Sequence, residues 1–172
     1  MQKYKMGCPY VVSHFPYHDE LKKDILKYIG EIGAPINKDD LDKVLRSDWE
    51  IDPKIKRKYW SYMYLYLHEH MSEVFDMLGH DKHEYANYWY QQYNKTDRHR
   101  WHQHRNCSWA CVYYVELPED APRTLIKDPF SGEIITPNIK EGDILTFPSF
   151  AWHCSPASES ESVKTVVVFN VK

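Results

Sequence analysis

Three histidines, His102, His104 and His153, have the type and spacing to do chemistry in this chain. A neutral imidazole offers one nitrogen lone pair near pH 7 and is the commonest side-chain ligand for a metal ion. In His102-Gln-His104 a single residue separates the two rings. Side chains alternate along an extended segment, so on a strand this pair projects from one face and can grip a single ion. Two histidines in a polar loop do not make a site, and the pair needs a third ligand. His153 is the candidate. It ends the run Gly142-Asp-Ile-Leu-Thr-Phe-Pro-Ser-Phe-Ala-Trp-His153, which reads as a turn, an apolar strand, a proline break and a histidine opening the next element.

The same spacing occurs in His68-Glu-His70, but there the surroundings are helical. Residues two apart on a helix point about 200° from one another, so these two rings cannot share an ion. Ser72 also stands where a zincin motif would place its second histidine.

Helices come first and strands after. In His18–Gly33 the apolar residues Leu21, Ile25, Tyr28, Ile29 and Ile32 share one helical face, and Gly30, Gly33 and Pro35 supply the stop. Asn37–Leu45 reads as a short helix. Asp52-Pro53 reads as an N-cap with proline at the first helical position. It opens a long helix whose face is Ile55, Tyr59, Tyr62, Met63, Tyr66, Leu67, His70, Val74 and Met77, ending at Gly79. From Glu84 the texture turns to β-formers: Tyr85–Tyr93, Trp109–Leu117, Thr124–Ile126, Glu133–Thr136, Asp143–Phe147 and Lys164–Val171. The pattern predicts a mainly β (α+β) sandwich or barrel with N-terminal supporting helices. Length predicts a single domain over 1–172, with helical support in 1–83 and the β core in 84–172.

Composition excludes more than it selects. A net charge of -3 from 22 basic and 25 acidic residues leaves no basic stripe, so nucleic acid is not indicated. No run approaches the roughly 18 apolar residues of a membrane span. Met1–Tyr10 lacks the apolar stretch of a secretory leader and the four cysteines show no CxxC spacing, so the expectation is a reduced, cytoplasmic protein. Cys111 and Cys154 read as packed small hydrophobes. His99 reads as a residue that solvates its loop.

Four features in order carry a resemblance: His102-Gln-His104; Val112-Tyr-Tyr-Val-Glu-Leu-Pro118; Glu141-Gly-Asp-Ile-Leu-Thr-Phe-Pro-Ser149 ahead of His153; and Lys164-Thr-Val-Val-Val-Phe-Asn170. Over Tyr85 to Lys172 the chain resembles the Fe(II)- and 2-oxoglutarate-dependent oxygenases, especially their small phage and bacterial, prolyl-4-hydroxylase-like members. The resemblance implies a double-stranded β-helix, a cupin-like jelly roll. It also implies Fe(II) on a face of three ligands, with 2-oxoglutarate as co-substrate, and O2 as the oxidant for hydroxylation, with release of succinate and CO2. By it, His102 is the first ligand, His153 the distal one, and His104 stands where most members carry Asp or Glu. Lys164 is the basic partner of the far 2-oxoglutarate carboxylate and Tyr93 a hydroxyl donor to the same group. Of Tyr113 and Tyr114, which point to opposite faces, Tyr114 is read as the one looking into the barrel.

Three imidazoles would leave the ion with a net charge of +2 where a carboxylate would leave +1. Asp97 or a water is the alternative second ligand. Trp101, Trp109, Phe150 and Trp152 are candidates for a dry wall around the oxidant. The oxygenase reading requires Lys164 to face the barrel interior. Two other readings stand beside it: a cupin-like metal-binding protein with a three-His site and no 2-oxoglutarate chemistry, and a structural jelly roll with incidental histidines. The substrate stays open between a peptide, a nucleobase, a lipid and a small metabolite.

Overall fold

Two eight-residue β-runs, Trp109–Glu116 and Lys164–Val171, carry apolar side chains on both of their faces, so a sheet built from them must be covered on both sides. The computed structural model, which describes residues 7–34, 44, 46–52 and 54–172, shows how this is done. The element order is β1 Val11–His14, α1 His18–Ile32, β2 Arg46–Ser47, α2 Lys58–Met77, β3 Tyr85–Tyr93, β4 His99–His102, β5 Trp109–Glu116, β6 Leu125–Lys127, β7 Ile134–Ile135, β8 Asp143–Pro148, β9 His153–Ser155 and β10 Lys164–Val171. A six-stranded antiparallel sheet runs β1-β8-β5-β10-β3-β2, and a four-stranded one runs β4-β9-β6-β7. The two pack as a jelly roll with both helices on the outer face of the larger sheet.

Alternation along the strands sorts the side chains into two cores. Cys111, Tyr113 and Val115 of β5, with Val167, Phe169 and Val171 of β10, meet the helices. Ala110, Val112 and Tyr114, with Val166 and Val168, face the smaller sheet. The β3, β5, β8 and β10 spans match the expected ones to within a residue. β1 and β2 lie in the part of the sequence expected to be helical support, and β1 extends the large sheet through β8. Their joint is tight: Gly142 has φ +87°, and a Cβ there would sit 2.6 Å from His14 Cε1.

The first helix ends as its glycines suggested, with Gly33 left-handed at φ 64°. The second starts later than expected. Asp52 caps a turn of its own, accepting from the backbone N–H groups of Lys54 and Ile55 at 2.9 Å, and the helix begins at Lys58. Pro53 and the short helix expected over Asn37–Leu45 lie outside the described residues, Val44 apart. The buried stripe of α2 is Tyr59, Met63, Leu67, Met71 and Phe75, flanked by Trp60 and Val74, whereas Met77 and Ile55 are exposed. Trp60 stacks on Tyr88 of β3 at 4.1 Å, which locks the helix to the sheet. No described helix is long and apolar enough to cross a membrane.

Asp48 ties β2, β3 and the start of α2 together. Its fully buried carboxylate accepts from Arg57 Nε (2.8 Å), the Tyr59 hydroxyl (2.9 Å) and the Tyr90 backbone N–H (2.7 Å). Removing one partner of a buried ion pair strands the other, at a cost of about 3–5 kcal/mol. Asp48→Ala is therefore expected to lower Tm by about 10 °C or more in a calorimetric scan.

Candidate metal centre

The pairing of β4 with β9 sets His102 directly opposite His153, with ring centroids 4.1 Å apart. The chain then leaves β4 but stays tethered: the His104 backbone N–H donates to Ser149 O at 3.0 Å. This brings the third ring to 4.9 Å from His153 and 5.3 Å from His102. One ligand nitrogen from each lies within 4.8 Å of the others, the only such group of three among the described residues. Asp97 is not part of it. Its carboxylate accepts the Asn94 backbone N–H at 2.7 Å and closes a turn.

Each imidazole is aimed by its other nitrogen. Nδ1 of His102 lies 2.7 Å from Arg100 O, Nδ1 of His153 lies 3.1 Å from Ala151 O, and Nδ1 of His104 lies 2.5 Å from Asn170 Oδ1. A carbonyl oxygen only accepts, so each Nδ1 carries the proton and each Nε2 keeps its lone pair. Burial holds two of the rings neutral as well. His153, only 4 % exposed, has its pKa lowered to about 2 by burial and by the His102 and His104 rings, and burial lowers His104 too. Three neutral, converging nitrogen donors fit a divalent transition metal.

His99 does not solvate the loop. A register shift between His99 and His102 in the β4–β9 pairing puts the two rings on the same side, stacked at 3.9 Å. Burial lowers the pKa of His99 to about 4. Nor do the expected aromatics form the wall. Trp101, Phe150 and Trp152 are exposed, and Trp109 points to the helix side, where its indole N–H donates to His80. The dry lining is Trp89, Val112, Val166 and Val168, with Phe147 packed against His153 at 4.6 Å. These lie on the inner face of a doubly buried sheet, a position that aromatic content alone does not reveal.

The same pocket takes in Lys164, Tyr93 and Tyr114. Lys164 is 1 % exposed; its ammonium donates to Ser155 Oγ (2.6 Å) and Pro122 O (3.0 Å) and lies 4.4 Å from the Tyr93 ring centre. The Tyr93 hydroxyl donates to Gln91 Oε1 at 2.8 Å, and the Tyr114 hydroxyl shares a 2.6 Å bond with Thr124. Tyr113 points outward to His18. Ser155, Thr124, Asn87 and Asn170 have no signal in the sequence, because only the strand register brings them to the site.

Burial, with Arg123 nearby, lowers the pKa of Lys164 to about 7. The unfolded chain keeps this proton up to about pH 10.4. Between these values the folded state binds fewer protons, so the Lys164 contribution to stability grows as pH rises and is lost as pH falls through 7. The apoprotein is expected to gain Tm relative to Lys164→Met between pH 7 and pH 9, measured by scanning fluorimetry at both.

Neither the protein-family models nor the curated proteins give a match to the sequence. Solved structures do. A Pseudomonas putida prolyl-4-hydroxylase matches at TM-score 0.63 and 13 % identity over 95 % of this chain and 92 % of that one. The viral collagen prolyl hydroxylase of Paramecium Bursaria Chlorella virus-1, in a 2-oxoglutarate complex, matches at 0.61 and 14 % over 94 % of each. A non-heme alpha ketoglutarate dependent epimerase of nogalamycin biosynthesis matches at 0.71 and 8 % over 96 % of this chain and 78 % of that one. The chain thus has the jelly-roll fold shared by prolyl-4-hydroxylase-like and other 2-oxoglutarate- and Fe(II)-dependent oxygenase structures.

Proposed function

We propose that the chain is an Fe(II)- and 2-oxoglutarate-dependent dioxygenase acting on a peptide or small-metabolite substrate. The observation that carries this reading is the meeting, in one pocket, of three converging imidazole nitrogens and a buried lysine without a carboxylate partner among the described residues. His102, His104 and His153 would hold Fe(II), and Lys164 would pair with the far carboxylate of 2-oxoglutarate. Tyr93 and Tyr114 would border that co-substrate. In the working reading 1–172 is one domain, cytoplasmic, where Fe(II) and 2-oxoglutarate are at hand and the four free cysteines stay reduced.

With both groups bound, O2 chemistry converts 2-oxoglutarate to succinate and CO2 and delivers one oxygen atom to a substrate C–H bond. The chain's own part is binding, charge and dryness. Three neutral ligands leave the charge of the ion uncompensated, and a dianionic co-substrate balances it. Lys164 sits near its titration point when the pocket is empty, so a carboxylate arriving above pH 7 is paired with uptake of a proton. Trp89, Val112, Val166 and Val168 keep water from the reacting centre. The same fold holds an epimerase and a carbocyclase, so hydroxylation is the outcome to be read from the product. The all-imidazole donor set favours a second reading, a cupin-like metal-binding protein without 2-oxoglutarate chemistry.

An anaerobic titration with Fe(II) and then 2-oxoglutarate separates the two. A visible charge-transfer band saturating at one equivalent and absent in His153→Ala is the expected result. Lys164→Ala should raise the 2-oxoglutarate Kd about 10- to 100-fold, the worth of a hydrogen bond to a charged group. Iron bound with no band would favour the cupin-like reading, and no iron bound would sink both.

A further inference from the structure

The ligand at position 104 is held differently from the other two. His102 and His153 donate to backbone carbonyls within two residues, so their orientation is local. His104 instead donates to the side chain of Asn170, on the far end of β10. An amide can present either its oxygen or its NH2 group, and only the oxygen enforces the Nδ1–H form that leaves Nε2 free. Asn170 is itself held: its Nδ2 donates to Asn87 Oδ1 at 2.7 Å. Asn87 and Asn170 are directly opposed in the β3–β10 register. Both lie on the inner face, in the alternation that also carries Trp89 and Val168 into the pocket.

We propose that the Asn87–Asn170 amide pair is the positioning device that makes His104 a metal ligand, by committing the Asn170 NH2 group to Asn87 and turning its oxygen to His104. The pair touches neither metal nor co-substrate and acts only through the imidazole. It explains how a histidine serves where a carboxylate needs no tautomer fixed: the selectivity for His at 104 lies in a β10 side chain that is itself held from β3. The proposal rests on the metal-site reading above, but its tautomer half does not.

The test uses the full-length apoprotein, 15N-histidine NMR for the His104 tautomer, and Co(II) as an air-stable probe metal. Wild type is expected to show His104 in the Nδ1–H form. Asn170→Leu, close in size and without an acceptor, should show mixed tautomers and a Co(II) Kd raised about 10- to 100-fold. Asn170→Asp, which keeps the acceptor oxygen, should restore both readouts to within about threefold of wild type. Asn87→Leu should weaken Co(II) binding less, and its effect should not add to that of Asn170→Leu, since both break one chain of bonds. An unchanged Co(II) Kd in folded Asn170→Leu, or an Nε2–H His104 in wild type, would overturn the proposal. If Asn170→Leu does not fold, Asn87→Leu decides by the same two readouts. A wild type that takes no Co(II) refutes the metal-site reading, while the tautomer comparison still decides whether the amide pair fixes His104.

Discussion

Strand β10 has no face in contact with water, and the rest of the molecule is arranged around that constraint. Its residues are all buried, between β3 and β5 in the plane, the helices on one side and the smaller sheet on the other. A strand so enclosed can carry a polar group only where a partner is built for it. On the inner face this happens at both ends, at Lys164 and at Asn170, with Val166 and Val168 between them. The three-histidine cluster leans on one end through His104 and the expected co-substrate site on the other. Their separation is thus fixed by the rise of one strand, which is stiffer than any loop could be.

The electrostatics of the pocket follow from the same enclosure. Burial keeps His153, His104 and His99 neutral and draws Lys164 toward neutrality. A site poor in negative charge and lined by a ring of neutral donors is prepared for a cation and, behind it, an anion. No carboxylate joins the cluster among the described residues, and the Asp97 carboxylate accepts from the Asn94 backbone instead. Where the oxygenases that the sequence resembles mostly carry a negative residue, this chain has the neutral His104, and charge compensation would fall to whatever binds.

What could be read from the sequence was what repeats locally. The β-runs at 85–93, 143–148 and 164–171 announce themselves by their side chains; His102-Gln-His104 stands out by its spacing, although β4 ends at His102 and His104 is placed by its tether to Ser149. His153 and Lys164 became legible only as members of an ordered set. The short strands β1 and β2 did not, since four and two residues carry no period. Asp52 looked like a cap because an Asx turn and an N-cap use the same side-chain oxygen. The tryptophans misled because their composition says nothing about which side of a sheet they take. Asn87 and Asn170 were beyond reach: the bond between them joins residues 83 apart, and only the register puts them opposite.

The register shift inside β4 separates two ways of counting along one strand. Ahead of it, His99 is opposite Ser155; behind it, His102 is opposite His153, three positions on one side for two on the other. In an unbroken ladder one residue gained or lost turns every later side chain over. Here the shift falls just before His102. The placement of His102 and His104 is therefore set locally, by the pairing with His153 and the tether to Ser149, and not by the register that β4 keeps ahead of the shift.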